Sequence, residues 1–246
     1  MAKLYPKPIV VASRCLEFEP VRYNGVAVPF DLMNKLKPYV TFVPVCPEIA
    51  IGLGVPRDPI RVVLKNGRKR LVQPSTGRNL TSAMTVFRDR FLNSLKEVDG
   101  FILKSRSPSC GIGDVKMMRD AASERILKRG TGMFGEQVLK KFGYLAVSDE
   151  AGLMERRGRQ WFLTKLFVLA GFRTAKRSIK ALRNFHERHG KLFASLDKKR
   201  SKLLGLLSDR GATDHYGRTL LKVLFRTPRS LQPFKGPYPF PKTLLS

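Results

Sequence analysis

The chain has 246 residues, and its 47 Lys or Arg against 19 Asp or Glu give a formal net charge of +28 at pH 7. Hydrophobic residues make up 43% of the sequence, which is too large a fraction for a disordered basic tail. No apolar run approaches the ~18 residues of a membrane span, and the first residues lack the apolar segment of a signal peptide, so we expect a cytoplasmic protein without a membrane contact. The charge surplus favours a polyanionic partner, with nucleic acid as the first expectation.

Short apolar runs in the first part of the chain predict buried strands at residues 8–12, 39–43 and 100–103. The first two runs are rich in β-branched residues, which favour strands. Two further runs, residues 60–64 and 70–72, flank the turn pair Asn66-Gly67. This arrangement predicts an antiparallel hairpin.

Helical patterns alternate with these strands. Asn79 or Thr81 can cap a helix that continues to about Lys96. One face of this helix carries the apolar residues Met84, Phe87, Phe91, Leu92 and Leu95. A shorter helix is predicted from Gly132 to Phe142. Alternating strands and helices predict an α/β fold, with a mostly parallel sheet and flanking helices.

The composition changes near residue 150. Residues 1–150 contain 25 basic and 14 acidic residues, a net charge of +11, whereas residues 151–246 contain 22 and 5, a net charge of +17. We therefore predict a domain boundary near residue 150, between an α/β domain of residues 1–150 and a smaller all-α basic domain of residues 151–246. Apolar residues recur at helical spacing between Trp161 and Ala170 and again between Leu182 and Leu196. Residues 228–246 are rich in proline and aromatic residues and predict an extended C-terminal tail.

Three cysteines carry the sharpest chemical signal, because each follows a predicted strand. Cys15 comes three residues after the first strand, Cys46 three after the second, and Cys110 lies in a turn-rich stretch after the strand at 100–103. Ligands bind at this edge of open α/β sheets, and soft thiolates from separate loops suit a soft metal or an iron–sulfur cluster. Three ligands leave one coordination position open, as a Lewis-acid catalyst needs. A zinc ion and three simply buried, hydrophobic cysteines are the alternatives.

Polar residues next to the cysteines add candidate catalytic groups. Glu48 follows Cys46 by two residues and could act as a general acid or base, or form a salt bridge with Arg57. Ser107 and Ser109 precede Cys110 and could donate hydrogen bonds to a substrate, to a cluster or to the loop itself.

Five separated motifs in residues 7–145 resemble, in order, those of the TudS-type thiouracil desulfidases. The motifs are Ser13-Arg14-Cys15-Leu16, Arg22-Tyr23-Asn24-Gly25, Pro44-Val45-Cys46-Pro47-Glu48, Gly52-Leu53-Gly54-Val55-Pro56-Arg57 and Leu103-Lys104-Ser105-Arg106-Ser107-Pro108-Ser109-Cys110-Gly111.

The resemblance implies a 4Fe–4S cluster held by Cys15, Cys46 and Cys110, with one iron not bound by protein. It further implies that this iron takes the sulfur of a thiolated pyrimidine and that water replaces it, without net redox change. Glu48 would transfer a proton, and Ser107 would orient the substrate or relay the proton. The substrate or cluster environment would include Ser13, Arg14, Arg57, Ser109 and Gly111.

The basic part is similar to the second domain of the RudS-type tRNA 4-thiouridine desulfidases, through Phe185-His186-Glu187-Arg188-His189 and Pro237-Tyr238-Pro239. This resemblance implies 4-thiouridine in tRNA as the substrate. The basic part is shorter than expected, and its stretch from about Leu196 to Gln232 lacks helices expected from that resemblance. The predicted RNA contacts are Arg156, Arg157, Arg159, Arg173, Lys176, Arg177, Lys180 and Arg183.

Two other functions remain open from the sequence. One is a desulfidase of free 2-thiouracil or of thionucleosides, for which the charge of the basic part has no use. The other is a non-catalytic RNA-binding protein with a structural metal site, for which neither Glu48 nor an open coordination position is needed.

Overall fold

The computed structural model describes residues 6–122, 124–209 and 212–225. The strands of this part are β1 (Ile9–Ser13), β2 (Thr41–Val45), β3 (Arg61–Lys65), β4 (Arg68–Gln73), β5 (Arg78–Asn79), β6 (Gly100–Leu103), β7 (Val115–Met118), β8 (Ile126–Gly130) and β9 (Ala146–Asp149). The helices are α1 (Asp31–Leu36), α2 (Pro47–Ala50), α3 (Thr81–Ser94), α4 (Met133–Phe142), α5 (Glu150–Met154), α6 (Arg156–Ala175), α7 (Ile179–Leu196), α8 (Lys198–Asp209) and α9 (Thr213–Leu224). None of these helices has the length and apolar character that a bilayer crossing requires.

A four-stranded, fully parallel sheet in the order β2-β1-β6-β9 forms the centre of the first part. On one face, Val10 and Ile102 belong to a buried cluster with residues of α1 and α6. On the other face, Val11 and Phe101 belong to a second buried cluster with residues of α3 and α4. Because both faces are covered, the central strands β1 and β6 are almost entirely apolar and buried, as the sequence indicated. The predicted α/β class with a mostly parallel sheet and flanking helices is confirmed.

A second, five-stranded sheet has the order β5-β4-β3-β7-β8. The predicted hairpin is confirmed, because β3 and β4 pair antiparallel across Asn66 and Gly67, whose φ angles of 51° and 72° suit a tight two-residue turn. The pairing of β3 with β7 is parallel, whereas β7 pairs antiparallel with β8. The sequence did not predict β7 and β8, since β8 is exposed almost throughout and lacks an apolar period.

Helices α3 and α4 agree with the sequence predictions. The carboxamide oxygen of Asn79 accepts the backbone N–H of Thr81 at 3.1 Å and so supports the start of α3. Met84 and Leu92 on α3, with Phe134 and Val138 on α4, are buried in one cluster beneath the second sheet. These two helices therefore fill the space between the two sheets.

The helical part begins with α6, which is buried along much of its length as predicted. Leu182, Phe185 and Phe193 on α7 are buried against residues of α9. The stretch after Leu196 differs from our expectation, because it contains α8 and α9. Helix α9 is amphipathic, with buried residues at helical spacing between Tyr216 and Leu224. The predicted tail at residues 228–246 lies outside the described residues.

Arg173 on α6 has a structural role, which corrects its prediction as an RNA contact. Its guanidinium donates to the two carboxylate oxygens of Asp99 at 3.2 and 3.1 Å and to the backbone carbonyl of Lys7 at 3.1 Å, and it pairs with Glu97 at 3.2 Å. The Asp99 side chain is 3% exposed and also accepts the backbone N–H of Ile9 at 2.8 Å. The network ties α6 to the amino-terminal ends of β1 and β6, so this positive charge is satisfied within the protein.

We expect Arg173→Ala to lower the free energy of unfolding by about 3 kcal/mol, because it leaves a buried carboxylate without its ion-pair partner. Burial raises the pKa of Asp99. In the folded protein Asp99 is therefore protonated at a higher pH than in the unfolded chain, where its pKa is about 4. The stability lost in the variant shrinks as the pH falls through this range, because a neutral Asp99 needs no ion-pair partner. Urea denaturation at several pH values measures this. Lys176→Ala, at an exposed position three residues on, is the control and should change stability by less than about 0.5 kcal/mol; equal stability of the two variants would contradict the structural role.

Candidate functional site

The three cysteines lie together at the carboxyl edge of the parallel sheet. Cys15 follows β1 by two residues, Cys46 follows β2 directly, and Cys110 lies in the loop after β6. All three line one cavity of about 310 Å³. The predicted convergence of three cysteine loops is therefore observed, and it results from the parallel pairing of the strands that precede them.

Burial keeps the three thiols protonated when no cation is present. Desolvation raises the pKa of Cys15 to about 12, raises that of Cys46 and raises that of Cys110 well above the usual value for a thiol. Each of these pKa values is raised further by a nearby negative charge, from another cysteine or from Glu48. Three soft donors that need positive charge to ionise fit a cationic metal centre such as an iron–sulfur cluster.

The loop that carries Cys110 is held in place by the hydroxyl of Ser107 and by helix α4. Ser107 Oγ accepts the backbone N–H groups of Ser109 and Cys110 at 3.2 and 3.0 Å. The first N–H groups of α4 donate to the loop, with Phe134 N and Gly135 N both bonding the carbonyl of Ser109, at 2.9 and 3.0 Å. Ser107 also lines the cavity. Its oxygen therefore holds the loop, while its hydroxyl proton can be donated towards a bound molecule.

The carboxylate of Glu48 lies in the cavity wall and is held by two partners. Arg57 donates to Oε2 through Nε at 3.1 Å and Nη2 at 2.7 Å, and Ser109 Oγ donates to Oε1 at 3.1 Å. The side chains of Arg57 and Glu48 are only 6% and 14% exposed. The salt bridge that the sequence offered as an alternative for Glu48 is thus present, and it orients a carboxylate that still lines the cavity.

The other residues predicted near the cluster fall into two groups. Ser13 and Arg14 line the cavity, and Ser13 is hydrogen-bonded to the thiol of Cys110. Ser109 and Gly111 are buried behind the cavity wall instead. Their contribution is to the loop and to Glu48 and not to the cavity surface.

The sequence reasoning missed Lys104 and Glu150 as a pair. Lys104 lines the cavity and forms an ion pair with Glu150, the first residue of α5. Glu150 also accepts the backbone N–H of Ser105 at 2.7 Å and its hydroxyl at 2.6 Å, and these partners lower its pKa despite burial. Lys104 belongs to a motif quoted above, but its partner is 46 residues away, so no local signal connects the two.

Two residues at the cavity mouth were also missed. The Arg22 guanidinium lies 5.5 Å from the ring centroid of Tyr23, whose side chain is 41% exposed, and both residues line the cavity. An exposed aromatic ring beside a pocket can stack on a planar ligand. The only signal in the sequence was their place in the second of the five motifs.

The predicted RNA contacts are distributed unevenly. Arg159 is half-buried and donates to the carbonyls of Leu153 and Met154 at 3.1 and 3.3 Å, where it supports the start of α6. Arg173 is satisfied by Asp99, as described above. The exposed members of the set are Arg156, Arg157, Lys176, Arg177, Lys180 and Arg183.

Comparison with known proteins gives three matches. A family model described as 2-thiouracil desulfurase matches residues 10–150. The uncharacterized protein YbbK of Bacillus subtilis (strain 168) is 29% identical in an alignment of 149 positions, which covers 57% of this chain and 95% of that protein. The solved structure of a [4Fe-4S]-dependent thiouracil desulfidase, TudS, is 26% identical and covers 60% of this chain and 94% of its own, with a TM-score of 0.48. The family match ends at the first residue of α5 and does not include α6–α9.

We expect Gly135→Ala to disturb the Cys110 loop, because the added Cβ would lie 2.5 Å from the carbonyl oxygen of Cys110 and 2.4 Å from that of Gly111. Backbone atoms have to move to relieve such contacts, so the free energy of unfolding should fall by about 1–3 kcal/mol. Cys110 should also react faster with iodoacetamide in the folded, metal-free protein, as mass spectrometry can measure. Gly113→Ala is the matched control, since its Cβ meets nothing within 4 Å; equal behaviour of the two variants would contradict the close contact.

Proposed function

The chain belongs to the 2-thiouracil desulfurase family, and we propose that it removes sulfur from a thiolated uracil, with 4-thiouridine in tRNA as its substrate. The observation that carries the proposal is a single cavity that is lined by three cysteines and by an oriented carboxylate. The products are uridine and hydrosulfide. One water is consumed and no electrons are transferred overall.

The proposed cofactor is a 4Fe–4S cluster with Cys15, Cys46 and Cys110 as its three protein ligands. Its support is the donor set, three soft thiols from three separate loops on one cavity. When bound, such a cluster supplies one iron without a protein ligand, a soft Lewis acid that prefers the sulfur of a thiocarbonyl to the oxygen of uridine.

Glu48 is the proposed proton-transfer residue. Arg57 occupies Oε2, so the carboxylate cannot rotate, and Oε1 receives only the hydroxyl of Ser109 in the described part of the chain. Oε1 can therefore orient a water and accept its proton as the water oxygen bonds to the ring carbon. The carbon–sulfur bond then breaks as the new hydroxyl becomes the carbonyl of uridine. Glu48 returns its proton to the sulfur, which leaves as hydrosulfide, and the proton of the hydroxyl is released to solvent.

Ser107 and Lys104 are the proposed substrate-positioning residues. The oxygen of Ser107 already accepts two backbone N–H groups, so its hydroxyl is directed by the loop and can donate to a pyrimidine oxygen. Lys104 adds a positive charge to the cavity wall and is held in place by Glu150. Both residues act before the chemical step, by fixing the position of the ring.

The tRNA part of the proposal is supported by charge. The net charge of +17 in residues 151–246 and the exposed basic residues of α6 and α7 suit phosphate binding, which is electrostatic and weakens with salt. The thiolated base would have to leave the stack to reach the cavity, as base-modifying enzymes require.

Desulfuration of free 2-thiouracil is the second candidate, and the family description and the cavity size favour it. A cavity of about 310 Å³ can hold one pyrimidine without any attached polymer. Under this alternative the basic residues contribute nothing to catalysis.

Anaerobic purification followed by iron, sulfide and activity assays tests the proposed function. We expect about four iron and four sulfide per chain, and release of hydrosulfide from thiolated tRNA with a higher kcat/KM than from free 2-thiouracil. Cys46→Ser should lose both cluster and activity. A colourless protein with one zinc and no sulfide would contradict the enzyme, and a higher kcat/KM for the free base, insensitive to salt, would favour the second candidate.

We expect Glu48→Gln to lower kcat by about 10²–10⁴-fold, because an amide cannot accept the proton of water. The iron and sulfide content should remain that of the wild type, since Glu48 is not a proposed ligand. Asp89→Asn, which removes a 45% exposed carboxylate on α3, is the control and should leave kcat unchanged. Wild-type turnover in Glu48→Gln would exclude Glu48 as the proton-transfer residue.

A further inference from the structure

The outer face of the five-stranded sheet carries basic residues that have no role in the proposed catalysis. Strand alternation directs Val62 and Leu71 inward, where both are buried. Lys65 on β3 and Arg70 on β4 belong to the opposite, outer face of the sheet and are exposed. Arg68 is exposed on the same face, directly opposite Lys65. Cations thus occupy adjacent positions across β3 and β4, where like charges repel unless an anion is bound.

A groove of about 760 Å³ crosses this face. Val63 and Val72 contribute to its surface, together with Lys65, Arg70 and Arg119. The chain after β7 forms one side of it and is attached to β3 by Arg61, which donates to the Ala121 carbonyl at 3.4 Å and the Glu124 carboxylate at 2.6 Å. The groove therefore lies between the β3–β4 hairpin and the chain after β7, and the contacts of Arg61 hold these two parts together.

Three of the positive charges at this groove are not paired with an acidic residue of the described parts of the chain. Lys65, Arg70 and Arg119 are exposed and form no ion pair within the described residues. Asp120 is the one acidic residue among the described residues that line the groove. Several cations along a concave surface with an apolar floor suit the phosphates and sugars of a nucleic acid strand. A flat anionic bilayer fits a concave surface less well.

The groove and the substrate cavity are connected by β3. Pro59 and Ile60, just before this strand, line the cavity, whereas Val63, Leu64 and Lys65 line the groove. At about 3.3 Å per residue, Lys65 lies roughly 17 Å along the strand from Ile60. This distance spans a few nucleotides of an RNA strand. A strand that delivers one base to the cavity can therefore also reach the groove.

We propose that Lys65, Arg70 and Arg119 form an RNA-backbone site on the outer face of the five-stranded sheet, which binds phosphates of the substrate RNA a few nucleotides from the reacting base. The site deepens the proposed function, on which its role in catalysis rests. It belongs to the desulfurase part of the chain and acts in addition to the helical part.

The test is charge reversal in the full chain with its cluster, Arg70→Glu together with Arg119→Glu. We expect the KM for thiolated tRNA to rise at least about tenfold, while kcat/KM for free 2-thiouracil stays within about twofold of the wild type. The slope of log KM against log salt should fall by about two, one for each phosphate contact removed. Retained activity on the free base shows that the variant is folded.

The matched control reverses two exposed charges, Arg90→Glu on α3 together with Lys96→Glu two residues after the end of α3. Because α3 packs beneath the inner face of the same sheet, this pair changes the net charge equally without touching the groove. We expect its KM for tRNA to change by less than about threefold, as a through-space charge effect is screened by salt. An equal rise of KM in both variants would show a net-charge effect and overturn the site.

Binding of unmodified tRNA, measured by fluorescence anisotropy, separates failure of this site from failure of the proposed function. Weaker binding in Arg70→Glu/Arg119→Glu supports the site even when no desulfuration is detected. Unchanged binding in this variant, with loss in Arg156→Glu/Arg157→Glu, would assign RNA binding to the helical part alone and overturn the proposal. Unchanged tRNA binding with lost binding to phosphatidylglycerol vesicles would overturn it in favour of a membrane surface.

Discussion

The parallel pairing of β1 with β2 and with β6 is the constraint on which the rest of the site depends. The register aligns Ser13 with Val45 and Ala12 with Ile102, so the three strands end at one edge. Two hydrogen bonds extend this alignment past the strand ends, from Arg14 N to the Val45 carbonyl at 2.8 Å and from Lys104 N to Ser13 Oγ at 2.9 Å. The loops that follow can therefore bring their cysteines to one cavity only if this register is kept. A shift by one residue would turn each buried side chain to the other face of the sheet.

Electrostatics divides the cavity into two kinds of group. Burial opposes ionisation of the thiols and raises the pKa of each, that of Cys110 well above the usual value for a thiol. Glu48 is instead compensated by Arg57 in an ion pair that is almost fully removed from solvent. Desolvated charges are tolerated where a partner is built in, and are suppressed where it is not. The protein thus supplies Arg57 as the cation for the carboxylate of Glu48, whereas ionisation of the three thiols requires a cation that binds from outside the protein.

Elements with a local signal could be predicted from the sequence, whereas those that depend on distant partners could not. Asn66-Gly67 fixes the hairpin of β3 and β4, and the apolar run at 100–103 coincides with β6. The pairing of Val62 with Met117 joins distant parts of the chain through β7, a short strand with an exposed lysine, so β7 had no comparable signal. The same holds at the site, where motifs identified Cys15, Cys46 and Cys110, but the partnership of Lys104 with Glu150 required the fold.

Basic residues have different roles in different parts of the chain, and the net charge of a segment does not show these roles. Arg173 belongs to the more basic half, yet its guanidinium is committed to Asp99 and Glu97 and holds α6 on the parallel sheet. Lys65 and Arg70 belong to the less basic half, yet they face solvent from a sheet whose other face is buried. A polyanion is attracted by charge that the protein does not neutralise itself, and not by the sum over a segment. Exposed basic residues are therefore found in both parts of the chain, and they include those of the sheet that adjoins the cavity through β3.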